Sequence, residues 1–381
     1  MSTTLPHPTP PDAQPGTQPD DAAYLSSQII TCIGNKRALL PGIEAGITRA
    51  KAALGKERIV FLDAFSGTGI VSRMAKRHAS HIHANDLEAY SAAANRCYLS
   101  NASDVDHNAL AAHLRELEAY IEAHWAPGFL TELYCPADEE RIRPGERVFY
   151  TRRNGIYLDT ARRCIDTLPE DARPLLLGPL LAAASVHANT GGVFKGFYKN
   201  QDGIGQYGGS GRQALARILA DIRAALPVLS PHECTSTVHQ QDANTLVADI
   251  DDADVAYLDP PYNQHPYGSN YFMLNLLCDY RRPTEVSRVS GIPTGWNRSA
   301  YNRRRQAADA LFDCIARCRA PIVLVSYNSE GFIPHERFLK ELGGLGRLSV
   351  VDTRYNAYRG SRNLHARDKH VTEFLYSLDR R

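Results

Sequence analysis

No apolar run in this sequence is long enough to cross a bilayer; the longest, Leu175 to Val186, contains Gly178 and Pro179 and reads as a buried helix. An excess of charge of one sign is missing too, since 43 Lys and Arg against 42 Asp and Glu leave a formal net charge of +1. That excludes a global basic field, so any grip on nucleic acid has to come from local clusters. The eight cysteines include no CxxC pair. Cys314 and Cys318 lie one helical turn apart, but no second Cys or His pair at ligand spacing completes a zinc site. No metal is therefore expected, the thiols are read as structural, and a reducing, cytoplasmic setting follows. The N-terminal stretch lacks the basic-then-apolar pattern of an export signal, and no internal repeat is visible.

What is present is an ordinary globular composition, 43% hydrophobic and 22% charged over 381 residues. The length suits one large domain with an insertion, or two domains. Residues 1–20 carry six prolines and almost nothing apolar, and a disordered tail is expected there. From residue 58 the pattern alternates. Arg58 to Asp63 is an apolar run ending in an acid, Ala64 to Gly69 is a Gly-rich turn, and Ile70 to His78 has helical spacing. His81 to Asp86 is a second run ending in an acid. Strand-like runs return at 235–240, 254–258, 321–326, 347–351 and 371–376. Strands alternating with helices predict a parallel sheet covered on both faces. Between them, residues 106–125 read as an amphipathic helix, 135–165 is rich in Arg and Pro, and 189–211 is rich in Gly. Residues 21–100 and 235–381 are thus read as one α/β domain interrupted by an insertion at 101–234.

Two motifs carry chemistry. In the first, Gly67 and Gly69 let the turn after Asp63 fold tightly against a ligand at a helix start. A dinucleotide loop would place a third glycine three residues later, where Ser72 stands. Asp86, at the next strand end, is placed to accept from ribose hydroxyls, so a nucleoside is favoured. The second motif is Asp259-Pro260-Pro261-Tyr262, at the carboxyl end of the apolar run 255–258. The prolines fix the backbone and leave no N–H there. An exocyclic amino group is a poor nucleophile because its lone pair is delocalised into the ring. Acceptors from the Asp259 carboxylate and the Pro260 carbonyl would hold its hydrogens and favour the tetrahedral nitrogen that can attack. Tyr262 can stack on a base.

Together these motifs resemble the Dam-like family of DNA adenine-N6 methyltransferases. Asp63-Ala-Phe65-Ser66-Gly67-Thr-Gly69 is similar to that family's cofactor loop, and Asp259 to Tyr262 to its catalytic motif. Gly34-Asn35-Lys36-Arg37 is similar to its N-terminal cofactor motif. Asp86 matches the acid that binds the ribose, Asp242 the acid that faces the cofactor adenine, and Ser326-Tyr-Asn328 the next strand end. Asn189 to Phe194 is similar to an Asn, Gly and aromatic segment of the family. The resemblance covers most of 24–100 and 235–377. It implies S-adenosylmethionine as cofactor and a Rossmann-like class I methyltransferase sheet. The insertion is then a mostly helical target-recognition region. Cytosine-N4 enzymes usually carry Ser at the position of Asp259, and protein-glutamine enzymes Asn, so the acid points to adenine.

Adenine in a duplex must be flipped out to reach such a site, and something has to grip the backbone. The run 354–363, with Arg354, Tyr358, Arg359 and Arg362, is read as a basic, aromatic loop between two strands. Arg298 to Arg305, including Arg303 and Arg304 around Tyr301, is a second candidate. Arg141, Arg143, Arg147, Arg152 and Arg153 form a third. Tyr267 and Tyr271 are placed to close over a flipped base, while His265 is read as a solvated loop residue. Double-stranded DNA is the expected partner, a cognate restriction endonuclease a candidate second one, and a monomer the expected state. Two rival readings stand beside this one: an RNA adenine-N6 methyltransferase, and a nucleic-acid-binding module with a vestigial cofactor site.

Overall fold

The computed structural model describes residues 21–356 and 370–381, apart from residues 31, 210, 212 and 213. All five later runs and both early ones form strands of one seven-stranded sheet. They are β1 (Ile59–Asp63), β2 (Ala79–Asn85), β3 (Thr235–His239), β4 (Val255–Leu258), β5 (Ile322–Asn328), β6 (Arg347–Asn356) and β7 (His370–Asp379). Their spatial order is β3-β2-β1-β4-β5-β7-β6. The central β4 and β5 are buried at every residue, β4 throughout and β5 over Ile322–Val325 on apolar sequence, with polar Ser326 and Asn328 at its carboxyl end. Edge strand β3 is exposed or half-buried at every residue.

One feature departs from the parallel sheet expected. β7 runs antiparallel to both β5 and β6, returning beside its sequence neighbour in the way hairpin-type connections allow. The other pairings, β2–β3, β1–β2, β1–β4 and β4–β5, are parallel. Helices Leu40–Leu54 and Ile70–Ala75 cover one face through Ile43, Ile47, Val71 and Met74. Helices Ala243–Asp249, Ala307–Arg317 and His335–Gly343 cover the other through Leu246, Leu311, Ile315 and Phe338.

Residues 101–234, read above as an insertion, carry helices His107–Ala123, Phe129–Tyr134, Arg152–Ile165, Ala172–Val186 and Leu215–Leu219. Their core is continuous with that of the sheet domain. Leu158, Leu176 and Leu180 pack in one cluster with Tyr90 and Cys97 of helix Ala89–Tyr98 and with Phe272 and Leu274 of helix Phe272–Asp279. Gly178 makes this close approach possible, because a Cβ there would sit 2.6 Å from both Cβ and Sγ of Cys97. Gly178→Val is therefore expected to destabilise the protein by about 1–3 kcal/mol through overpacking, read as a lower urea midpoint. An unchanged midpoint would mean that the two helices separate freely.

Candidate active site

The register sets Asp63 beside Ala84 of β2 and Tyr257 of β4, so the carboxyl ends of β1, β2 and β4 lie side by side. Here the strand order reverses, and a crevice opens beyond the strand ends. Gly67 and Gly69 adopt φ of +52° and +80°, conformations that only glycine takes without strain. The Gly67 N–H donates to Asp86 Oδ2 at 2.9 Å, and a Cβ at Gly69 would overlap the Asn95 amide. Asn95 in turn donates from Nδ2 to Ser66 Oγ at 2.9 Å. Asn85 binds three strand ends together, donating to the carbonyls of Ala64 (3.0 Å) and Gln241 (3.1 Å).

Three acids face this crevice in different states. Asp63 is fully buried, its Oδ2 accepts from Ser72 Oγ at 2.6 Å, and its Oδ1 has no partner. Burial pushes its carboxyl up to about 7. A buried, unpartnered carboxylate oxygen calls for a donor or a cation from a ligand. Asp86 is engaged through both oxygens, with the Glu88 N–H on Oδ1 at 2.9 Å, and burial raises its carboxyl above the usual range. Asp242 is exposed and caps helix 243–249 by accepting from the Thr245 N–H at 3.2 Å. Phe65 meets Tyr301 edge to face, ring centres 5.0 Å apart.

Lys36 lines the same crevice; it is 4% exposed and lies between two carboxylates. Its Nζ is 2.9 Å from Asp259 Oδ1 and 2.8 Å from Glu373 Oε1. Glu373 stands opposite Asn328 across the β5–β7 pair and accepts from Ser326 Oγ (2.8 Å) and Asn328 Nδ2 (3.3 Å). Burial alone would depress the Lys36 ammonium, but Asp259 and Glu373 together hold it well above its ordinary value. Burial pushes Asp259 up to about 6, with Lys36 opposing and Glu373 reinforcing the rise. The Tyr262 ring centre is 5.7 Å from Lys36 Nζ, and its edge meets Tyr327.

With this geometry in view, residues 33–288 match the sequence model of a family described as D12 class N6 adenine-specific DNA methyltransferase. The chain belongs to that family. The D12-class chain is 28% identical over 359 residues to Type II methyltransferase M.NlaIII of Neisseria lactamica, covering 91% of itself and 98% of that protein. It is 27% identical over 323 residues to Type II methyltransferase M.CviAII of Paramecium bursaria Chlorella virus 1, covering 83% and 89%. Modification methylase StsI of Streptococcus sanguinis is 28% identical over 370 residues, 92% of this chain but 52% of StsI, so the chain spans about half of that longer relative. This methyltransferase therefore modifies N6 of adenine in DNA, and the family takes the DNA reading over the RNA and vestigial ones.

Within the D12-class chain, the structure brings together Asn35, Lys36, Asp63, Phe65, Ser66, Gly67, Asp86, Asp242, Asp259 and Pro261 around one crevice. Gly69 and Pro260 contribute no side chain to its lining: a Cβ at Gly69 would meet Asn95, and the Pro260 residue is buried. Arg303 and Arg304 are exposed. Arg354 is also exposed but belongs to strand β6, which runs on to Asn356, rather than to a loop. Tyr358, Arg359 and Arg362 lie outside the described residues. Three further expectations change. Tyr271 is 1% exposed and cannot close over a base; its hydroxyl accepts from the Ile33 N–H at 2.7 Å, and Tyr267 donates to the Ile33 carbonyl at 2.8 Å. These tyrosines anchor the segment that delivers Lys36. Tyr301 is buried against Phe65 instead of lying among exposed arginines. Arg147 is likewise tied down, donating to the carbonyls of Leu133, Ser287 and Arg288. Sequence reasoning missed Glu373, Asn95 and Glu88. The last accepts from Asn275 (2.5 Å) and Asn297 (3.2 Å), and burial pushes it up to about 7. Among the described residues no helix is long and apolar enough to cross a membrane.

Proposed function

We propose that this chain takes its methyl group from S-adenosylmethionine and delivers it to N6 of an adenine flipped out of duplex DNA. The observation that carries this reading is one crevice lined both by a buried Asp63 whose Oδ1 has no hydrogen-bond partner and by the Lys36–Asp259 pair. The residues present fit the donor. Asp63 Oδ1 suits its ammonium group, Asp86 its ribose hydroxyls, and Asp242 the amino group of its adenine, with Phe65 against the ring; Asn35, Ser66 and the glycines at 67 and 69 let the backbone approach. When bound, S-adenosylmethionine supplies a sulfonium methyl that is already electrophilic, so positioning does most of the work.

Asp259 and the Pro260 carbonyl accept the two amino hydrogens, and Pro261 keeps the turn rigid. Tyr262 stacks on the base, an interaction worth about 1–3 kcal/mol. As the nitrogen attacks it gains positive charge, which the Asp259 carboxylate faces. The proton that the methylated nitrogen then loses can pass to Asp259, whose raised affinity for protons suits it to that step. Residues 101–234 supply target recognition, with residues 21–100 and 235–381 forming the catalytic domain. Arg303, Arg304 and Arg354, with Tyr358, Arg359 and Arg362, hold the DNA backbone. The protein works as a monomer, with a cognate restriction endonuclease as its candidate second partner.

The direct test is transfer of labelled methyl from S-adenosylmethionine to unmethylated duplex DNA, followed by nucleoside analysis. N6-methyladenine is expected; label in RNA alone, or on cytosine, would overturn the reading. For the arginines, the salt dependence of DNA binding is diagnostic. Arg303→Ala and Arg304→Ala are each expected to reduce the slope of log K against log salt by about 0.9 while leaving sequence preference intact.

A further inference from the structure

Away from the crevice, three imidazoles and a carboxylate meet at the β2–β3 edge. His81 and His83 lie two apart on β2 and so share a face, His239 ends β3, and Asp252 comes from the turn entering β4. One ligand atom from each of His81, His83 and Asp252 lies within 4.8 Å of the other two. His83 Nε2 stands 3.2 Å from Asp252 Oδ1, near the edge length of a tetrahedron with metal–ligand bonds of about 2.0–2.2 Å.

The state of His83 is what points to a ligand. Its side chain is 9% exposed, yet Nε2 makes no hydrogen bond. Nδ1 of the same ring is 3.2 Å from His239 Nε2. In the tautomer that carries the proton on Nδ1 and donates it to His239, the one a metal at Nε2 would select, the Nε2 lone pair faces a carboxylate and a second imidazole. Those groups repel unless something positive sits between them. A proton can bridge only one pair, whereas a divalent cation satisfies all three. His81 is oriented as well, with Nε2 2.9 Å from Thr237 Oγ1 and its ring centre 4.1 Å from that of His83. Outer partners of this kind commonly fix the rings of metal-ligating histidines.

We propose that His81, His83 and Asp252 bind a divalent transition-metal ion of the zinc class, with His239 as the outer partner of His83. Two imidazoles and one carboxylate select such an ion over magnesium or calcium, which prefer all-oxygen shells. The ion ties β2 to the turn before β4 and braces the strand that carries Asp86 to the crevice. It would also correct the expectation of no metal, which considered only Cys and His pairs close in sequence; Asp252 joins the cluster through the fold.

The test is calorimetric titration of the full chain with zinc chloride, with magnesium chloride as control. One zinc per chain is expected, with a rise in Tm reversed by chelator, and a visible absorption band when cobalt replaces zinc. His83→Ala removes a buried ring and can disturb folding, so the decisive variant is Asp252→Ala, a turn residue whose side chain is 51% exposed. It should bind zinc at least tenfold more weakly, and His239→Ala about 10–100-fold more weakly. Absence of binding, magnesium binding as tight as zinc, or zinc binding unchanged in Asp252→Ala would each overturn the proposal.

Discussion

Asp259→Ala is expected to lower kcat on unmethylated duplex DNA by on the order of 10²–10³-fold while binding of S-adenosylmethionine is retained. The size follows from removing one preorganised group aimed at charge that develops only in the transition state, where such groups have effects of that order. The carboxylate is 17% exposed and already oriented by Lys36, so it needs no rearrangement as the amino nitrogen becomes positive. Asp259→Asn keeps an acceptor but not the charge, and should fall between wild type and alanine. Because burial pushes Asp259 up to about 6, the wild-type kcat should fall as pH drops through that value, since a protonated carboxyl cannot face a developing cation. Single-turnover measurements separate this effect from slow product release. Full activity in the alanine variant would sink the assignment of Asp259.

The same cluster shows what a sequence displays and what it hides. The strands were legible because their period and their bounding Gly, Pro and acidic residues are local properties. Asp63, Asp86 and Asp259 were legible for a related reason: each follows a strand-like run, and a parallel sheet places such ends together. Lys36 came only through family resemblance, since nothing local marks its loop as part of the site. Glu373 was missed altogether. It reaches Lys36 because β7 inserts between β5 and β6 in reverse, a pairing that strand periodicity does not encode. One signal did exist: Glu373 alternates in step with Val371 and Leu375, both buried, so an acid stood on the inward face of a strand. The role of Tyr271 was misread for the complementary reason, whereas Tyr267 lines the crevice. Aromatics beside a catalytic motif suggest a base-stacking lid, but their hydroxyls hold Ile33 and so position the lysine loop.

Lys36 and Glu373 act on Asp259 with opposite sign, and this yields the second large effect. Lys36→Met removes the cation that lowers the Asp259 carboxyl and leaves the Asp259 and Glu373 carboxylates without the charge between them. The acid limb of the kcat–pH profile should then move up by about one to three pH units, the range an opposite charge at this distance imposes. At neutral pH protonation alone would cost about tenfold in kcat, with further loss from the disturbed site. Glu373→Gln does the reverse. It keeps the hydrogen-bonding shape that Ser326 and Asn328 hold, removes the negative charge that raises Asp259, and should move the acid limb to lower pH. A purely structural role predicts something different: both variants would lose activity and stability without displacing the profile in opposite directions. The limb reports the cluster as a whole, because groups this close titrate together. Movement of both profiles in the same direction would therefore show that Glu373 supports the sheet and does not tune Asp259.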